Sequence, residues 1–435
     1  MYHIRSWQYR RFHISYLVAW IAVGCLLGLI LAKLRWINSG TIVLLVATLG
    51  ILGALRSRRW WAVAVVMIVG IVLGIDRGGS VLSKIDNYKN YAHTQVLLKG
   101  TIDDDPSYGN RGAQQLRLAH ITINSQPMVG SVFASTQSII DVKRGDVVEL
   151  RGKMTSGFGN YQAKLNYAEL VSVTQVKDPV REVRDRFAAG VRNVVSEPAA
   201  SLGLGFVVGQ RSALPDTLDD QLRIVGLTHI VVASGYNLTI LVRFMRRLLA
   251  KHSKYLAVAS SSGLMVLFVA VSGLSPSMTR AALVTGLSLM AWYYGRRFHP
   301  LMLIIYTAAA TAMVYPIYLW SDIGWYLSFL AFAGVLIIAP LLSSWMFPSP
   351  RKVSALAQLL IETLAAQIMT LPLILFIFGQ LPVLSLISNV LVAPVIPLAM
   401  VTTALAGVSG VFSPVWLGIA GLGADVAVGY AVAVV

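Results

Sequence analysis

The chain has 435 residues, of which 56% are hydrophobic and 13% charged, with a mean hydropathy of +0.69. A composition this apolar excludes a soluble globular domain and reads as a polytopic α-helical membrane protein. The net charge of +17, from 36 Lys and Arg against 19 Asp and Glu, fits basic cytoplasmic loops that obey the positive-inside rule or a route for a polyanion, and charge alone does not choose.

Arg5, Arg10 and Arg11 precede the first apolar run, 14–32. A signal peptide would be followed by a soluble chain, whereas a second apolar run starts near Thr41, so the first run is expected to span. The single cysteine, Cys25, lies inside it, which rules out an intrachain disulfide or a thiolate cluster. Runs at 41–55 and 60–75 complete residues 1–76, the N-terminal transmembrane helices. Later runs at 225–242, 255–273, 280–295, 299–319, 323–342, 356–378, 381–408 and 411–435 bring the total to about eleven spans. With a cytoplasmic N-terminus, Arg56, Arg58 and Arg59, then Arg243, Arg246, Arg247, Lys251 and Lys254, then Arg296 and Arg297, then Arg351 and Lys352 all fall inside. Lys33 and Arg35 are the exception. The same alternation places residues 77–224 outside.

Residues 77–177 change character. Short alternating runs such as QVLLKGTI, QLRLAHITIN and DVVELRGKM, separated by Gly, Asn, Asp and Pro, predict five strands of a small antiparallel barrel. The KRGDVVELRGKM run has the turn, strand and Gly order of OB-type barrels, so an extracytoplasmic OB-like domain is expected. Tyr108, Phe158, Tyr161 and Tyr167 could stack on bases or simply pack in the sheet. Residues 178–224 form an amphipathic or re-entrant connector. In its first part Val180, Val183, Phe187, Val191 and Val194 recur at helical spacing between arginines. Its stretch 201–215 is too short and Gly-rich to span.

Residues 225–435 carry polar groups within apolar runs. His229, Ser234 and Asn237 interrupt GLTHIVVASGYNLTIL, and Gly235 beside Ser234 predicts a broken helix. Polar groups at membrane depth need partners or a water-filled cavity. In SGLSPSMTRAA, Ser275, Ser277 and Arg280 stand where Pro276 can open a helix, whose free N–H groups attract phosphates or carboxylates. Asp322, six residues before Ser328, either pairs with Arg280 or caps its own helix. Glu362, Gln367 and Pro372 share one run, and Asn389 precedes Pro394 and Pro397 in a helix that must kink. No HExxH, HxHxDH, GxxxxGK[ST] or GxSxG occurs, so no enzyme and no cofactor is expected.

These residues resemble the ComEC competence proteins, a family of inner-membrane channels for transforming DNA. The family's Gly-Leu-Ser-His and Ser-Gly elements are matched by Gly226, Leu227, Thr228 and His229, then Ser234 and Gly235. Pro276, Ser277, Arg280 and Ala281 match a second element. Asp322, Gly324, Leu327, Ser328, Phe329 and Ala331 match a third, with Trp325 replacing a Phe, and Pro372 and Asn389 match the last. Tyr236 and Asn237 stand where the family has Leu and His. The resemblance implies that 225–435 is a competence-type transmembrane channel bundle in the cytoplasmic membrane. Single-stranded DNA would pass His229, Ser234, Gly235, Asn237, Ser275, Ser277, Arg280, Asp322, Ser328 and Asn389. It further implies an envelope DNA receptor and a cytoplasmic motor ATPase as partners. The sequence stops at Val435 inside an apolar run, so against the resemblance it is expected to lack the C-terminal metallo-β-lactamase-like domain that many members have. The residues alone leave open a secondary transporter for a small anion or a membrane assembly scaffold.

Overall fold

The computed structural model describes residues 13–34, 50, 60–108, 113–137, 141–210, 214–231, 234–273, 275–296, 299–347, 354–379, 384–412 and 417–435. Most of the expected span 41–55, together with Arg5, Arg10, Arg11, Arg35, Arg56, Arg58, Arg59, Arg297, Arg351 and Lys352, lies outside the described residues. In chain order come helices α1 (Ile14–Lys33) and α2 (Trp60–Asp86), then strands β1 (Gln95–Ile102), β2 (Ser107–Tyr108), β3 (Gln114–Ile123), β4 (Gln126–Pro127), β5 (Val132–Thr136), β6 (Val147–Ser156) and β7 (Ala163–Thr174). Helices follow: α3 (Pro179–Arg192), α4 (Ala199–Val208), α5 (Asp216–Ile224), α6 (Thr228–Val231), α7 (Gly235–Leu249), α8 (Lys254–Ser272), α9 (Pro276–Tyr293), α10 (Pro300–Val314), α11 (Pro316–Ser321) and α12 (Ile323–Ala333). The last are α13 (Ala339–Met346), α14 (Ala355–Phe378), α15 (Ser385–Val392), α16 (Ile396–Phe412) and α17 (Leu417–Val434).

Among the described residues five helices are long and apolar enough to cross a membrane: Ile14–Lys33, Trp61–Tyr91, Lys254–Ser272, Ile323–Met346 and Leu356–Phe378. A sixth exists if α15 and α16, bent by 53°, count as one span; Pro394 and Pro397 stand at that bend, where the backbone cannot donate. The protein is thus a multi-pass membrane protein. Other expected runs take different forms. The run 225–242 is broken between α6 and α7, 280–295 begins earlier as the 18-residue α9, and 299–319 divides at Pro316 into α10 and α11.

The chain forms two compact units, one of Met1–Val176 with His299–Tyr326, the other of Lys177–Phe298 with Leu327–Val435. In the first, α1 and α2 cross at two Gly-xxx-Gly pairs. A Cβ on Gly24 would lie 2.3 Å from the Met67 carbonyl oxygen and one on Gly28 2.1 Å from that of Ile71, with Gly70 and Gly74 equally close to α1. Only glycine lets two backbones approach this far. The spacing Gly24-xxx-Gly28 against Gly70-xxx-Gly74 was readable and is absent from the expectations above. Arg77 donates through Nε and Nη2 to the Met313 and Val314 carbonyls at 3.0 Å, neutralising the C-terminal end of α10. Tyr306 donates to the Ser15 carbonyl and Trp320 Nε1 to that of Leu29.

The five long strands of this unit close into a barrel. β1 pairs with β3 and β6, β3 with β5, and β6 with β7, all antiparallel, while β5 pairs with β7 in parallel. The strands alternate buried and exposed residues, and Leu98, Leu116, Leu118, Leu150 and Leu165 fill the interior. Antiparallel pairing alone was expected; the β5–β7 pair is parallel because the chain crosses between them through β6.

In the second unit α3 is the expected amphipathic helix. Pro179 opens it, and Asp178 caps it by accepting from the Val180 N–H at 2.9 Å. It lies on α16 through glycines: a Cβ on Gly410 would sit 2.1 Å from the Gly190 carbonyl oxygen, and one on Gly407 2.2 Å from the Phe187 ring. The stretch too short to span becomes α4, buried at nine of its ten positions. A helix apolar all round belongs inside the core, and α4 lies within the largest buried cluster of this unit.

Candidate functional site

The broken segment of the second unit is built by two successive caps. Gly226 has φ of 72°; its N–H reaches the Arg223 carbonyl at 3.1 Å and the Leu227 N–H reaches Leu222 at 2.8 Å. This left-handed glycine closes α5. The short α6 carries His229, which is exposed. Ser234 then caps α7, accepting from the Asn237 N–H at 3.4 Å while its hydroxyl contacts Asn237 Oδ1 at 3.2 Å. Asn237 is fully buried, and its Nδ2 donates to the Phe206 carbonyl at 3.2 Å. It ties the start of α7 to the buried α4.

The start of α7 meets the first turns of α9. A Cβ on Gly235 would lie 2.6 Å from the Ala281 Cβ and 3.0 Å from Arg280 Nη2. Ser275 caps α9, accepting from the Met278 N–H at 3.2 Å, and Pro276 follows at its first position. Arg280 donates through Nη1 to the Ser328 carbonyl at 3.0 Å, and its guanidinium lies 5.1 Å from the Phe332 ring centroid and 5.9 Å from that of Phe329. Cation–π contact of this kind holds a desolvated charge in place. Its Nε is buried without a hydrogen-bond partner. Among the described residues Arg280 has no carboxylate at ion-pair distance. Ser277 and Ser328 face each other with hydroxyls 3.3 Å apart. Gly235, Ser277, Arg280 and Ser328 therefore form one polar cluster with the capping pair Ser234 and Asn237 directly behind it.

The remaining expected residues sit elsewhere. Asp322, in the first unit, caps its own helix: it is buried, accepts from the Trp325 N–H at 2.6 Å and accepts from Asn160 Nδ2 of the β6–β7 loop. Burial pushes its carboxyl above the ordinary value, opposed by the Trp325 N–H, the Arg117 charge and the Asn160 amide. Asn389 is half-buried on α15. Its neighbours carry the bonds there: Ser388 donates to the Val225 carbonyl at 2.8 Å, and Gln367 to Ser385. Glu362 accepts from Gln358 at 2.7 Å on an exposed face. Phe332, Asn160 and Ser388 were not among the expected residues, and Phe329 was named only as part of a family element; the position of Phe332 one helical turn beyond Ser328 is the one signal that could have found any of them.

On the barrel, Phe133, Phe158 and Tyr161 form a ring cluster with centroids 5.2 to 5.4 Å apart. Lys164 stands 5.9 Å from Phe133 and 6.0 Å from Phe158, and Arg117 6.0 Å from Tyr161. Phe158 and Tyr167 are exposed, while Tyr108 lies on the short β2.

A multi-pass helical membrane protein with an inserted closed barrel and, where two capped helices meet, an arginine with no ion-pair partner among the described residues is the class these features define. The chain belongs to the Competence protein family, whose model matches residues 206–435. It is also similar to ComE operon protein 3 of Bacillus subtilis (strain 168), with 25% identity over 234 residues, covering 53% of this chain and 29% of that relative. The match thus spans less than a third of the relative's own length. No solved structure matches the chain.

Proposed function

We propose that the chain conducts single-stranded DNA across the cytoplasmic membrane during natural transformation. The observation that carries this reading is Arg280, a guanidinium inside the family-matched region that has no acidic partner among the described residues. A half-buried cation without a counter-anion is costly, and a passing phosphate would relieve that cost. Phosphates cannot cross hydrocarbon unshielded, so the path must be hydrated and lined by hydroxyls, amides and few cations. In this reading Arg280 and the start of α9 at Ser275 and Ser277 attract the backbone. Ser328, His229 and Asn389 line the route, and Gly235, Ser234 and Asn237 fix the break that opens it. Sparse positive charge lets the strand move on.

The barrel is read as an extracytoplasmic OB-like domain that receives DNA, with Asp322 anchoring the β6–β7 loop. An envelope receptor would deliver DNA and a cytoplasmic motor ATPase would draw it in. The chain itself acts as a channel rather than an enzyme. The test uses proteoliposomes holding the full chain, offered labelled single-stranded DNA or small anions. Uptake of DNA that depends on Arg280 supports the channel; uptake of small anions alone refutes it.

A further inference from the structure

At one end of the second unit, the end of α7, the start of α8 and the end of α9 come together, because α7 and α8 form a hairpin and α9 returns beside both. That end is densely basic. Arg243, Arg246 and Arg247 share one face of α7 at i, i+3 and i+4 spacing, Lys251 lies in the turn, and Lys254 opens α8. Arg246 lies over the Trp292 ring of α9, 5.2 Å from its centroid, which fixes the two helix ends against each other. Among the described residues no carboxylate reaches ion-pair distance of any of these five cations. Like charges at i and i+4, here Arg243 and Arg247, repel unless an anion lies between them.

Beside the cations the same helices expose large apolar and aromatic side chains. Phe244 and Leu248 are exposed on α7, Tyr255 and Leu256 on α8, and Met290 and Tyr294 on or just past α9. Guanidiniums that fork onto phosphate, interfacial aromatics and an apolar skirt together match one occupant. We propose that this end of the bundle is a binding site for anionic phospholipid, with Arg243, Arg246 and Arg247 holding the headgroup phosphate and the exposed apolar side chains lying along the acyl chains. A nucleic-acid strand also offers phosphates, but it leaves the apolar skirt uncovered. The inference rests on this basic end alone and stands whether or not the chain conducts DNA.

The test measures Trp292 emission in the full chain, obtained by difference from Trp292→Phe, in nanodiscs containing brominated phosphatidylglycerol or brominated phosphatidylcholine at equal mole fraction. Quenching several-fold stronger with phosphatidylglycerol is expected, falling to parity in the Arg243→Gln, Arg246→Gln, Arg247→Gln triple variant. The corresponding triple Lys variant, which keeps the charge, retains most of the preference and so separates headgroup binding from misfolding. Equal quenching by both lipids in the wild type, or a preference that survives in the Gln variant, overturns the proposal. So does binding of a labelled deoxythymidine oligonucleotide that the Gln variant loses while no lipid preference exists, since it gives this end to nucleic acid.

Discussion

Gly235 and Ala281 face each other at the start of α7 with no room for another methyl: a Cβ on Gly235 would stand 2.6 Å from that of Ala281. Gly235→Ala is therefore expected to cost about 1–3 kcal/mol through overpacking, read as a lower thermal midpoint of the detergent-purified chain. Because the clash is with one methyl, Ala281→Gly in the same chain should recover most of the loss. Equal loss in the single and double variants would show that the two backbones, not the methyls, set the distance.

Arg280 combines a hydrogen bond to a carbonyl with stacking on two rings, and a lysine cannot do both at once. Arg280→Lys should lower transformation by at least about tenfold, corresponding to about 1.4 kcal/mol in the step it controls, with normal insertion by immunoblot. Wild-type transformation with Lys would mean that charge alone is needed.

Burial of Asp322 makes the folded chain hold the carboxyl proton more tightly than the unfolded chain does. The stability from this group is complete below its ordinary value of 3.8 and is lost as pH rises through the elevated folded value. The thermal midpoint of Asp322→Asn should therefore fall less than that of the wild type as pH rises from the carboxyl's ordinary value of 3.8. The Asn160 amide can turn to meet the new donor, since its Oδ1 is buried without a partner. Asp322→Ala instead strips the Trp325 N–H of its cap and should cost about 0.5–2 kcal/mol, with the larger loss at low pH. Parallel pH profiles for wild type and Asp322→Asn would exclude this titration.

Cys25 reports on the crossing of α1 and α2. It is buried and is the single cysteine of the chain, so a membrane-permeant maleimide should label the folded protein slowly. Gly28→Leu places a side chain where even a Cβ meets the Ile71 carbonyl oxygen and should raise the labelling rate at least about tenfold by separating the helices. An unchanged rate would mean that this crossing does not set the spacing.

Most of the helices and the barrel were legible from hydropathy pattern: the runs that became α1, α8 and α14 are predominantly apolar, β6 alternates over most of its length, and β3 alternates on either side of a break at Ala119 and His120. The break at Ser234 and Gly235 and the start of α9 at Pro276 were legible from single-residue chemistry. Pairings between distant segments were not. Nothing local in α4 tells that it is buried on every side, and nothing near Asn237 names Phe206 as its acceptor. For Asp322 two outcomes were open, and only the fold chose helix capping with Asn160 in attendance. The parallel β5–β7 pair was likewise invisible, because register between non-adjacent strands is a property of closure rather than of either strand.

That closure has a consequence for how the barrel domain can meet anything else. A sheet joined to itself commits main-chain donors and acceptors of its strands to one another wherever it closes. The closing ladder runs only over Val132–Ala134 of β5 and Ala163–Leu165 of β7, so a visiting polypeptide that adds as an extra strand is turned away there and is left the later part of β7. Elsewhere on the closed wall a partner must be held by side chains and loop tips, so selectivity there is open to point substitution without unravelling the scaffold beneath.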